Sequence, residues 1–141
     1  MEKNKIEAES KPQSTIEIVN QICKSAIDQK ALDLRVLDLE GISDIADNFI
    51  ILSATSERHA KGIADKIIQN LKSSGEAPLC IDGYDKAEWI LIDYGSIILH
   101  IFFEPKRQYY KFDELWEKAK EVTLNPELDS QVKRFKTGIV Y

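Results

Sequence analysis

Between Ser56 and Leu71 the apolar residues Ala60, Ile63, Ala64, Ile67, Ile68 and Leu71 recur at offsets of three and four, the spacing that lines one face of an α-helix. A stripe of that width has to pack on a sheet. Ser73-Ser74-Gly75 closes the helix, with Gly75 suited to the left-handed position past its C-terminus. An earlier helix opens at Ser14, where Glu17 completes a capping box and Ile16, Val19, Cys23, Ala26 and Ile27 form the stripe. Residues 34–39 and 49–52 read as strands, the second more buried, and residues 79–81 as a short third. Residues 89–92 and 97–103, rich in Ile and aromatics, form a hairpin turning at Asp93-Tyr94-Gly95-Ser96, where Gly95 accepts a positive φ without steric cost. Phe112, Leu115, Trp116, Ala119 and Val122 mark a final amphipathic helix. Strands interleaved with helices, plus one hairpin, predict a single α/β domain with a mixed five-stranded sheet packed with helices. The domain is expected over residues 14–123, after a flexible tail at 1–13. Residues 124–141, with Pro126 and scattered Val132, Phe135 and Ile139, suit a tail or a short helix. No internal repeat is visible.

The composition agrees with one domain: 141 residues, 43% hydrophobic and 30% charged, can bury a real core. Cys23 and Cys80 lie far apart and outside any Cys-x-x-Cys or Cys/His cluster, so reduced thiols are expected rather than a disulfide scaffold or zinc site. Residues 1–13 have neither an apolar signal core nor an Arg-rich targeting pattern, and no apolar run approaches the ~20 residues of a membrane helix. A soluble, cytoplasmic protein is the expectation. The net charge is −5, and residues 76–104 hold six acids (Glu76, Asp82, Asp85, Glu88, Asp93, Glu104) against the single base Lys86. Such a run solubilises a surface, and it also complements a basic partner. Direct nucleic-acid binding wants clustered cations. Lys106, Arg107 and Lys111, with Lys133, Arg134 and Lys136, could still graze rRNA.

Candidate chemistry is sparse. His100, between Leu99 and Ile101, reads as a hydrogen-bonded structural residue before a catalytic base, and His59 near a helix start reads as solvated. Ser53, His100 and Asp93 could be written as a triad, but no Gly-x-Ser-x-Gly elbow surrounds any serine. P-loop, Gly-x-Gly-x-x-Gly and His-Glu-x-x-His signatures are absent too. No catalytic residue, cofactor or metal is assigned. Large aromatic rings serve both cores and interface centres. Trp116, on the last stripe, is assigned to the core, Trp89 is open to either fate, and Tyr94 and Tyr109 are expected to stand exposed.

The ordered series Ile42-Ser43-Asp44-Ile45-Ala46-Asp47-Asn48-Phe49-Ile50-Ile51, Ser53-Ala54-Thr55-Ser56, Arg58, Ala60 to Ala64, then Gly83, Trp89-Ile90-Leu91, Asp93, Gly95, His100, Arg107, Tyr109-Tyr110, Leu115 and Trp116 resembles the ribosomal silencing factor, or Iojap-like, family. Asn48, Ala54, Asp82 and Ser96 depart from its usual residues. The resemblance implies a nucleotidyltransferase-like α/β layout and a non-enzymatic binding module. It implies docking on the large ribosomal subunit through ribosomal protein L-fourteen, which would block joining of the small subunit and repress translation under nutrient limitation. A homodimer of the free protein would also fit. An interface of about 800 Å² per partner would suffice. The expected contact residues are Trp89, Asp93, Tyr94, His100, Glu104, Arg107 and Tyr109. The alternative is a nucleotidyltransferase-related enzyme. That chemistry wants a Gly-Ser turn and an Asp-x-Asp or Asp-x-Glu pair for magnesium, whereas the turn reads Ser53-Ala54-Thr55-Ser56 and no such pair follows.

Overall fold

Strands with apolar residues on both sides need cover on both sides, and in this chain the two covers are unequal. The computed structural model describes residues 14–132. In chain order its elements are α1 (Thr15–Asp28), β1 (Leu32–Asp38), β2 (Asn48–Ala54), α2 (Glu57–Ser73), β3 (Cys80–Asp82), β4 (Trp89–Asp93), β5 (Ile97–Phe103), α3 (Glu104–Tyr109), α4 (Phe112–Leu115), β6 (Lys120–Glu121) and α5 (Pro126–Asp129). They build one sheet in the order β3-β4-β5-β2-β1-β6, in which only β2 and β5 run parallel.

Helices α1 and α2 cover one face. Leu34 and Val36 of β1, Ile50 and Leu52 of β2, Ile90 and Ile92 of β4, and Leu99 and Ile101 of β5 meet Ile22, Cys23, Ile63 and Ile67 there. The capping box forms, Ser14 Oγ accepting from Glu17 N–H and Glu17 from Ser14 N–H. The α1 stripe differs from the expected one: Ile18 and Ile22 point into the core and Ile16 is 60% exposed, because α1 turns toward α2 as well as the sheet. On α2 the expected stripe is buried except for Ile68, which is half-buried. The helix ends in a Schellman arrangement, Gly75 at φ +91 with Glu76 N–H donating to Leu71 C=O.

Among the described residues the opposite face is covered by α3, α4 and the turn after them, with Ala46 of the loop before β2. Leu37, Phe49, Ile51, Ile98 and Phe102 pack there against Phe112 and Ala119, with Trp89, Leu91 and Trp116 partly buried at the margin. The expected long final helix does not form. Lys111, at φ +52, separates α3 from the single turn of α4, and the chain then straightens into β6, which pairs with the end of β1. Among the described residues the sheet therefore has six strands, not five. Phe112, Trp116 and Ala119 reach the sheet from a turn of helix and a loop, whereas Leu115, assigned to the same stripe, is 71% exposed. Irregular alternation in β1 has a local cause: Asp33, at φ +49, interrupts the register with β2. Val122 and the buried Leu124 cross to the helix-side core, and α5 follows them, its Leu128 packed on that core. The expected tail at residues 1–13 lies outside the described residues.

Candidate functional site

Alternation along β4 places Trp89, Leu91 and Asp93 on the lightly covered face, while Ile90 and Ile92 point to the helices. Register brings neighbours to each: Phe102 lies opposite Trp89, His100 opposite Leu91, Ile98 opposite Asp93, and Asp82 of the edge strand β3 on the other side of Leu91. Trp89 stacks on Phe102 at 5.0 Å between ring centroids and its Nε1–H donates to His100 Nδ1 at 3.1 Å. Ring contacts continue outward from Trp89 to Tyr110 at 5.1 Å, and from Tyr110 to Tyr109 at 5.1 Å. They also continue inward through Phe112 and Phe49 to Trp116. The result is an aromatic ridge rooted in the core and ending at Tyr109, which is 72% exposed. Lys106 lies over the Tyr109 ring and 4.0 Å from Glu88.

Two buried polar groups lie behind this ridge, and the first of them holds the Trp89 ring directly. His100, 3% exposed, is neutral because burial pushes its pKa down to about 3. Accepting at Nδ1 from Trp89 leaves the proton on Nε2, among the rings of Phe49 and Phe112, without a hydrogen-bond partner. The second is Arg107, also 3% exposed. It grips Asp113 with both prongs, at 2.8 and 3.0 Å, and donates to Ser53 Oγ at 2.9 Å and Asp33 C=O at 2.8 Å. Asp113 also accepts from Arg35, which in turn holds Glu121 of β6. Burial raises the Asp113 pKa, but hydrogen bonds and charge from Arg107 and Arg35 outweigh it and hold the carboxyl below its ordinary range. One guanidinium thus ties α3, α4, β1 and β2 together.

The seven residues expected to form the contact surface divide accordingly. Trp89, Asp93 and Glu104 are half-buried and Tyr109 is exposed. His100 and Arg107 are interior. Tyr94 is a correction: its ring packs on the helix-side core and its hydroxyl is buried without a partner. Burial, with the charge of Glu76 adding to it, pushes that hydroxyl up to about 12. Asp93 Oδ1 accepts from Gly95 N–H at 2.7 Å, so part of its role is to form the turn. His59, expected to be solvated, accepts from Thr55 N–H and donates to Gln29 C=O at 2.7 Å, joining the start of α2 to the end of α1.

The acidic run also divides. Asp82 and Asp93 share the face of Trp89, whereas Asp85 lies near Tyr84, whose hydroxyl donates to Asp65 of α2. Leu91 and Tyr110 belong to the ridge and were not among the expected contacts; counting by twos from Trp89 finds Leu91. Gly83, at φ +76, is required where it stands, because a Cβ would collide with the Trp89 carbonyl oxygen. Both thiols are free, Cys23 buried and Cys80 exposed on β3. Among the described residues no group of three or more His, Cys, Asp or Glu is placed to hold a metal ion.

Comparison with known proteins gives a consistent result. The family model described as "Ribosomal silencing factor during starvation" matches residues 12–138. The chain is 36% identical over 92 residues to "Ribosomal silencing factor RsfS" of Bacillus subtilis, covering 65% of this chain and 78% of that one. It is 29% identical over 91 residues to "Mitochondrial assembly of ribosomal large subunit protein 1" of Mus musculus, covering 62% of this chain and 40% of the mouse protein. A crystal structure of a protein from Bacillus halodurans superposes with a TM-score of 0.70 at 30% identity, over 78% of this chain and all of the other.

Proposed function

The chain belongs to the ribosomal silencing factor family, and from that premise we propose that it docks on the large ribosomal subunit through ribosomal protein L-fourteen and there blocks joining of the small subunit. Ribosome association and regulation of translation are the role that the family name carries. The proposal extends it to a partner, a surface and a steric mechanism that needs no chemistry, acting under nutrient limitation in the cytoplasm. Among the described residues no helix is long and apolar enough to cross a membrane.

The observation that supports docking best is the ridge of Trp89, Tyr110 and Tyr109 on a sheet face that the described residues cover only in part. Trp and Tyr give an interface large contact areas with few rotors to immobilise. His100, and Phe102 beneath, hold the Trp89 ring before any partner arrives, which lowers the cost of ordering it on binding. Asp82 and Asp93 on the same face suit a basic partner. In this reading Trp89, Leu91, Asp93, Tyr109 and Tyr110 make contact, Glu104 lies at the rim, and Tyr94, His100 and Arg107 act from behind. Of the bases that would graze rRNA, Lys106 and Lys111 reach solvent among the described residues, whereas Arg107 is buried. The same ridge is the surface that a homodimer of the free chain would cover. The mouse relative's name, with its reference to the large subunit, supports the choice of subunit.

Hydroxyl groups of the Ser53-to-Ser56 turn support a binding module over a nucleotidyl-transfer enzyme. Ser53 Oγ accepts from Arg107, Thr55 Oγ1 meets His59, and Ser56 Oγ caps α2. The test is co-sedimentation with purified large subunits. Tyr109→Ala removes an exposed ring and is expected to weaken binding at least 5-fold with the melting temperature unchanged. Trp89→Ala is expected to weaken it about 30-fold or more, the scale of a hot-spot residue. Unchanged affinity in both variants, with circular dichroism showing the fold intact, would place the contact elsewhere.

A further inference from the structure

At the end of the sheet opposite the Ser53-to-Ser56 turn, the chain leaves a cleft of about 750 Å³. Its walls come from the first turns of α1 (Ile16, Val19), the end of β1 (Val36, Asp38), the loop before β2 (Glu40, Asp44, Ile45, Asp47), the hairpin turn (Ser96) and Val122. Two features make this surface unusual. Ile16 and Ile45, at its rim, are 60% and 58% exposed. Four carboxylates line it, and among the described residues lining it there is no Lys or Arg. None of the four forms an ion pair with a described residue. Apolar walls with unopposed negative charge fit an occupant that is both basic and apolar.

The chain itself carries such a segment. After Val132 come Lys133, Arg134, Phe135, Lys136, Thr137, Gly138, Ile139, Val140 and Tyr141, with three bases, no acid and four large apolar side chains. These nine residues lie outside the described ones, but their starting point does not. Val132 packs on the helix-side core, and Leu128 and Gln131 line a smaller cleft together with Asn20, Gln21 and Lys24 of α1. From Gln21 to Ile16 is five residues of helix, about 8 Å. Nine residues span up to about 30 Å when extended, so the segment reaches the cleft with most of its length to spare.

We propose that residues 133–141 seat in this cleft, with Lys133, Arg134 and Lys136 against Glu40, Asp44 and Asp47 and with Phe135, Ile139 and Val140 against Ile16, Ile45 and Val122. A second basic, apolar segment, from a partner, would then have to displace the chain's own. The inference stands apart from ribosome docking, which uses the other face of the sheet.

The experiment uses the full chain with a nitroxide at Thr137→Cys in a Cys80→Ser background; Cys23 is buried and stays unlabelled. Amide signals of Asp44, Ile45 and Ser96 should lose more than half of their intensity relative to the reduced label, while those of Lys66 and Tyr84 should not. Adding Lys133→Glu, Arg134→Glu and Lys136→Glu should restore the cleft signals, and Asp44→Lys with Asp47→Lys should do the same from the other side. All these changes lie on the surface or beyond the described core, and the spectrum itself reports the fold. Cleft signals untouched by the label would overturn the proposal, as would broadening that survives both charge reversals. Broadening that grows with protein concentration would overturn it too, because the occupant would then be a second copy.

Discussion

Replacing Arg107 separates a structural role from a contact role, because the two predict opposite results in two assays. Arg107→Ala removes a bidentate link to Asp113 and the donors to Ser53 Oγ and Asp33 C=O. Breaking a buried ion pair from one side costs about 3 to 5 kcal/mol when the partner charge is stranded. Asp113 is not stranded, since Arg35 still donates to it at 2.7 Å and water reaches it. Ser53 Oγ, by contrast, is fully buried and loses its donor, a penalty of roughly 1 to 3 kcal/mol. The sum points to the lower end, about 3 kcal/mol, or roughly a 10 °C fall in melting temperature for a chain of this size. Thermal unfolding at neutral pH measures it, and Ser53→Ala in the same background should cost less than it does alone, because the two share one bond. Large-subunit binding, measured well below both melting temperatures, should change little. A melting temperature within 2 °C of the parent, together with lost binding, would refute the reasoning and make Arg107 a surface contact.

Three further outcomes follow from the same geometry. His100 has a folded pKa of about 3, below its unfolded value of 6.5, so its neutral form contributes stability above pH 6.5 that is lost as the pH falls toward 3. At pH 5 the loss is about 2 kcal/mol, and denaturant unfolding of His100→Phe should show a correspondingly flatter pH profile over that window. Tyr94→Phe removes a buried hydroxyl without a partner and should leave the melting temperature unchanged or higher, whereas Tyr94→Ala empties helix-side core and should lower it; a drop with Phe would reveal a hydrogen bond to that hydroxyl. Association with the large subunit should slow as salt screens Asp82 and Asp93, and an on-rate flat from low to high ionic strength would mean that these acids only solubilise the surface.

Elements whose apolar residues follow one period were legible in the sequence: α2, the β4–β5 hairpin and the capped start of α1 formed as their spacing predicts. The last quarter of the domain was not, because Phe112, Trp116 and Ala119 satisfy a helical spacing while reaching the sheet from a turn broken at Lys111 and a strand of two residues. Backbone conformations such as the left-handed Lys111 and Asp33 leave no mark in a hydrophobic pattern. The burial of the expected contact residues was half legible. Trp89, left open between core and surface, is half-buried, and Tyr109, expected to stand exposed, is so. Arg107 and Tyr94 misled because charge and a turn position usually mean surface, and only the fold shows that Arg107 is enclosed by α3, α4 and β1 and that Tyr94 folds back over the helix-side core. Leu91 was hidden in an apolar run, where face is decided by register rather than by residue type.

Subunit joining tests the central claim most directly. Purified large and small subunits are mixed at a magnesium concentration that favours joined ribosomes, with the full chain at saturation, and resolved on a sucrose gradient. The joined peak should fall in favour of free subunits, with the chain sedimenting alongside the large one, and Trp89→Ala of proven fold should fail to produce the shift. An undiminished joined peak at saturating protein would contradict it.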